Sequence, residues 1–102
     1  MIKVFHFDHR RASHGESHDV FTGVKTPDFH RHSYHLVANM DIPDAEYGDV
    51  FRLTNHIDQE WWFNNKVEAI GVPRYRSTSI GDVIELSDGR RLICRPVGWE
   101  EI

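Results

Sequence analysis

Cysteine is nearly absent from this chain. Cys94 stands alone among 102 residues. One thiol cannot close an internal disulfide or supply the paired ligands of a zinc finger, and it suits a reducing cytoplasm. Long apolar runs are missing too. None approaches the roughly 20 residues that a membrane-spanning helix needs. The opening Met1–Asp8 alternates and then turns charged, which predicts a strand rather than a signal peptide. There is no excess of base: 12 Lys and Arg against 16 Asp and Glu leave a net charge of −4. That argues against the basic stripe of a general nucleic-acid binder. No Gly-x-Ser-x-Gly elbow surrounds a serine, and no His-Glu-x-x-His pairs two histidines. Repeats, linkers and low-complexity tracts are absent as well.

Acid is concentrated in the middle. Residues 1–35 carry a net +1, residues 36–72 a net −5, and residues 73–102 are balanced. Such a segment is either a solvated helix face or a surface that meets a basic partner. The length allows one domain, spanning 1–102.

Periodicity predicts a small α+β fold, with an antiparallel sheet, one main helix and a C-terminal β-hairpin. Residues 2–8 read as a strand with Ile2, Val4 and His6 on one side and Lys3, Phe5 and Phe7 on the other. Residues 9–19 read as a loop, with a short strand around Val20 and Phe21. Tyr34–Met40 reads as a second strong strand. A helix follows, with Asp41 as N-cap and Pro43 and Asp44 in its first turn. Tyr47, Val50, Phe51 and Thr54 form its apolar stripe. Residues 67–73 suggest a short extended piece. Residues 82–86 and 91–95 flank Asp88-Gly89, a signal for a tight primed hairpin turn. Pro96 then ends or edges that strand.

Trp61-Trp62-Phe63 is the most informative stretch. Neighbouring tryptophans face opposite sides of a strand, or sit about 100° apart on a helix, so one packed surface does not easily bury both. The cluster can plug the core between helix and sheet. It can also anchor a partner, because tryptophan is a favoured interface residue. Trp61, Trp62 and Phe63, rimmed by Asp58, Glu60 and Asn64, are the expected partner-binding residues.

Three segments carry a wider similarity: Phe5-His6-Phe7-Asp8-His9-Arg10-Arg11, Leu53-Thr54-Asn55-His56-Ile57-Asp58 with the tryptophans, and Arg76–Leu86 followed by Pro96-Val97-Gly98-Trp99-Glu100. Together they resemble small proteins encoded by actinobacterial phages and related mobile elements, over nearly the whole chain. The last segment also resembles a short tail motif found more widely in phage and plasmid proteins. The resemblance implies expression inside an infected bacterium as an accessory or host-takeover protein. It supplies no catalytic residues.

Eight histidines are many for this length, and seven precede Leu36: His6, His9, His14, His18, His30, His32 and His35. Imidazoles hold a metal only where three or four converge. The bland alternative is a polar, histidine-rich surface. Protonation of all eight would swing the charge from −4 to about +4 near pH 6. Cys94 sits in an apolar strand pattern and reads as buried and inert. Arg74, Arg76, Ser77 and Thr78 form the best anion-binding segment, with Tyr75 able to stack on a base. A turn whose hydroxyls cap loop backbone explains the same residues.

The expectation is a non-catalytic cytoplasmic protein, without a cofactor, that binds and modulates a host protein through its acidic helix face and tryptophan segment. The second reading is a nucleic-acid or nucleotide-binding regulator that uses Arg74, Arg76, Arg90, Arg91 and Arg95. The third is a metal-binding protein that uses the N-terminal histidines. A homodimer formed by strand-edge pairing is compatible with all three.

Overall fold

A computed structural model describes residues 1–23, 26–55, 61, 66–71 and 76–102. Its centre is a six-stranded antiparallel sheet. The strands are β1 (Ile2–Phe7), β2 (Tyr34–Met40), β3 (Val67–Ala69), β4 (Val83–Glu85), β5 (Arg91–Cys94) and β6 (Trp99–Glu101), in the spatial order β3-β2-β1-β4-β5-β6. The expected α+β class is what the chain adopts. No helix among the described residues is long and apolar enough to cross a membrane.

β1 is central because both of its faces are apolar. Ile2 and Val4 enter one core with Met40, Ile84, Leu92, Val50 and Trp61. Phe5 and Phe7 enter the other with Val20, Tyr34, Val83 and Ile93. This is the alternation read from the sequence. The second core is largely aromatic: Phe7 meets the Tyr34 ring edge-on at 5.2 Å, and Phe5 meets Phe29 at 5.5 Å. Edge-to-face pairs of this kind add to simple area burial.

β2 carries a bulge. Val4 pairs with Ala38 but Phe5 pairs with Leu36, so Val37 is an extra residue on its strand. A bulge re-aims the side chains on either side of it. Here it sets His35 directly opposite His6.

The helices differ from the expectation. The longest described helix, α1 (His14–Thr22), occupies the segment read as loop and strand. Its start is a capping arrangement: the Ser13 hydroxyl accepts from the Glu16 N–H at 3.1 Å, and Gly23 ends the helix at φ +68°. Ser-x-x-Glu followed by a terminal glycine is a helix signature, and local polarity masked it. The helix is fastened to the sheet by Arg95, which donates to the Val20 carbonyl at 2.6 Å.

The expected main helix is shorter and broken. A 3₁₀ segment, Asp44–Asp49, kinks at Glu46 and passes into a one-turn helix, α2 (Val50–Leu53). Pro43, not Asp41, occupies the N-cap position. The tighter 3₁₀ winding shifts the phase of the apolar stripe. Val50, Leu53 and Thr54 therefore face inward, and Phe51 is 44% exposed.

The hairpin β4–β5 is present, but its turn is not primed. Only Gly89 takes a positive φ, and the Gly89 N–H closes the turn on the Leu86 carbonyl at 3.0 Å. The strand β5 ends at Cys94, just before Pro96, as expected, and the sheet continues beyond it. Arg95 N–H donates to the Gly98 carbonyl at 2.9 Å, and the chain turns back into β6.

Candidate functional site

The end of β1 carries polar residues onto the apolar face of the sheet. His6 continues the inward side of Ile2 and Val4, and its ring meets Trp61 at 6.1 Å. Asp82 precedes β4 and is wholly buried. A buried carboxylate must be paired and hydrogen-bonded, and Asp82 is. Arg76 grips it through both terminal nitrogens at 2.5 and 2.7 Å. The Phe7 and Ser79 amides each donate to it at 2.8 Å. Arg76 also donates to the Phe7 carbonyl at 3.1 Å, which ties three segments together.

His6 completes the buried cluster. Its Nε2 lies 3.0 Å from the Thr78 hydroxyl and 3.9 Å from Asp82. Thr78 is in turn hydrogen-bonded to the Thr54 hydroxyl at 2.7 Å, and Thr54 donates to the Val50 carbonyl. Burial pushes the His6 imidazole down to about 4, against the opposing pull of Asp82. At neutral pH it is therefore an uncharged hydrogen-bonding group.

A second carboxylate lies beside the first cluster. Asp8 is nearly buried and accepts from Arg10 at its amide, at Nε (3.1 Å) and at a terminal nitrogen (3.2 Å). His35 Nε2 lies 2.8 Å from Asp8 Oδ2, the oxygen that the Arg10 terminal nitrogen also engages. The Arg10 side chain, then His35, hold the Asp8 carboxyl well below the usual carboxylate range. His6, Phe7, Asp8, His9, Arg10, His35, Val37 and Arg76 line a cleft of ≈ 380 Å³ above these groups. Such a volume is within the range of small-ligand sites.

A separate groove of ≈ 300 Å³ lies between α2 and the β5–β6 turn, lined by Gly48, Phe51, Cys94, Arg95, Pro96, Gly98 and Trp99. Val97 beside it is almost fully exposed. Glu46 and Asp49 are exposed on the adjoining 3₁₀ segment. Cys94 is buried, and burial pushes its thiol up to about 11, so it is an inert wall rather than a nucleophile.

Several expected site residues take other roles. Trp61 is 1% exposed and belongs to the first core, with its indole N–H donating to the Arg76 carbonyl at 3.0 Å. It cannot offer its ring to a partner, because the sheet and α2 already cover it. Asp58, Glu60, Trp62, Phe63, Asn64 and Arg74 lie outside the described residues. In the expected anion segment, Arg76 spends its fork on Asp82, and Thr78 is buried against His6 and Thr54. Ser77 contributes its carbonyl to Arg76 rather than standing as an open hydroxyl site. No group of three metal-ligating side chains converges among the described residues.

The Asp8–His35 and Arg76–Asp82 pairs were missed in the sequence because their partners stand 27 and 6 positions apart in different elements. Their one local signal is Asp8 followed by Arg10. No family model, no curated protein and no solved structure matches this chain.

Proposed function

We propose that this protein acts by binding rather than catalysis, as an accessory protein of the phage-encoded kind its sequence resembles. Its partner is a host protein with a basic, partly apolar docking segment. The contact surface is the acidic 3₁₀ segment Asp44–Asp49 together with the groove between Phe51 and Trp99.

One observation carries this reading. Phe51, which the periodicity assigned to the core, is turned outward beside a concave surface floored by Trp99. Exposed aromatics next to a preformed groove are the side chains that anchor interfaces. Glu46 and Asp49 adjoin it and would steer a basic partner toward it. Trp61 leaves the anchor set, and Phe51 and Trp99 take its place.

The arginine-rich alternative has less support. Arg76, Arg90, Arg91 and Arg95 are each paired with an acid: Asp82, Asp88, Glu85 and Glu100. Paired arginines provide no unneutralised stripe for a phosphate backbone.

The test is capture from nuclease-treated bacterial lysate, with wild type compared against Phe51→Asp and against a Glu46→Lys/Asp49→Lys double variant. One protein retained by wild type and lost from both folded variants, with binding weakened by salt, is the expected result. Equal capture by all three sinks the proposal.

A further inference from the structure

The cleft at the end of β1 turns its basic side chains toward solvent. Two carboxylates line or underlie it, and both are covered: Asp8 has 8% of its side chain exposed and Asp82 none. The bases above them are open. Arg10 is 79% exposed, and the Arg76 and His35 side chains are about half exposed. His9 and Arg11, in the same 3₁₀ turn as Arg10, are exposed too.

The buried acids are spent on orienting these bases. Asp8 takes Nε and one terminal nitrogen of Arg10, which leaves the other terminal nitrogen unengaged by it. Asp8 also takes Nε2 of His35, which leaves Nδ1 to meet a ligand, as a donor to an oxyanion when the ring is in its imidazolium form. Holding flexible cationic side chains in place before binding removes part of the ordering cost of binding. What solvent sees is a concavity edged by basic side chains, with no exposed acid among its described lining residues.

We propose that this cleft binds the phosphate group of a small phosphorylated metabolite, with Arg10, His9 and His35 as the contacting side chains. Charge-assisted donors from guanidinium and imidazole groups match tetrahedral oxyanions. The cleft is of nucleotide size rather than an extended track, and Arg90, Arg91 and Arg95 are paired with Asp88, Glu85 and Glu100, so these arginines do not extend it into a path for a polynucleotide backbone. This proposal is independent of the protein-binding reading, because it uses none of the residues of the Phe51–Trp99 groove.

The experiment is a titration of the intact protein with AMP, adenosine, inorganic phosphate and a single-stranded oligonucleotide. It is followed by NMR of the histidine rings and by calorimetry. AMP and inorganic phosphate should saturate and shift the His9 and His35 resonances, and adenosine should do neither. Arg10→Gln should weaken AMP about tenfold or more, the loss expected for one charge-assisted hydrogen bond. Should Arg10→Gln fail to fold because Asp8 loses its partner, the exposed His9→Ala carries the same expectation of weakened AMP binding. Absence of saturation by AMP, equal binding of adenosine, unchanged affinity in the folded variants, or far tighter binding of the oligonucleotide than of AMP would each overturn the proposal.

Discussion

Arg76 holds the carboxylate of Asp82 through both terminal nitrogens, at 2.5 and 2.7 Å, at a point where no solvent reaches Asp82. The pair joins the segment after β3 to the start of β4, and through the Phe7 amide and carbonyl it also joins the end of β1.

Removing one partner leaves a buried charge uncompensated. Arg76→Met should cost about 3–5 kcal/mol of unfolding free energy, read as a lowered urea midpoint. Arg76→Met with Asp82→Asn should recover part of that loss, since the orphaned charge is gone. A double variant as unstable as the single would show that the pair's hydrogen bonds, not its charges, dominate.

Acid should weaken the fold in two steps. His6 binds a proton at pH about 4 when folded and at its ordinary value of 6.5 when unfolded. Between those values the unfolded chain holds more protons, so stability falls as pH drops from 6.5 toward 4, by about 3 kcal/mol at most. The Asp8 carboxyl is depressed in the folded state, so its contribution is present above the ordinary value of 3.8 and is lost as pH falls below it. Urea melts from pH 7 to 3 should show the first step in wild type and a much smaller one in His6→Gln. His6 should take no part in any charge swing near pH 6, because it stays neutral there.

Trp61 and Phe51 should separate sharply. Trp61→Ala empties the first core and should cost about 3–5 kcal/mol. Phe51→Ala, on the surface, should change stability by no more than about 0.5 kcal/mol. Thermal melts of the two variants check this, and a large loss for Phe51→Ala would mean that it packs inward in solution.

Two glycines should respond in opposite directions. Gly81 has φ +94°, and a Cβ there would lie 2.8 Å from a Val20 methyl, so Gly81→Ala should destabilise by about 1–3 kcal/mol. Gly48 lies in the 3₁₀ segment with nothing near its missing Cβ, so Gly48→Ala should be neutral or stabilising by up to about 1 kcal/mol. Denaturant midpoints distinguish the two.

The sequence by itself determined the α+β class, the two-sided alternation of β1, the strand Tyr34–Met40 and the hairpin around Gly89. Those features rest on patterns a few residues long: apolar spacing, strand length and a glycine at a turn. It also carried the start and end of α1 in Ser13, Glu16 and Gly23, although the polar surroundings made those signals easy to pass over.

Tertiary structure decided the rest. Whether Phe51 faced water depended on a 3₁₀ segment that shifted the phase of α2, and local periodicity does not encode that shift. Whether Arg76 was free for an anion depended on Asp82 arriving from the other side of a turn. The pairing of Asp8 with His35 required a one-residue bulge at Val37 that aligns β2 with β1. Residues far apart in sequence set these outcomes. Burying a carboxylate is favourable only when its partners converge, and that convergence exists only in the folded chain.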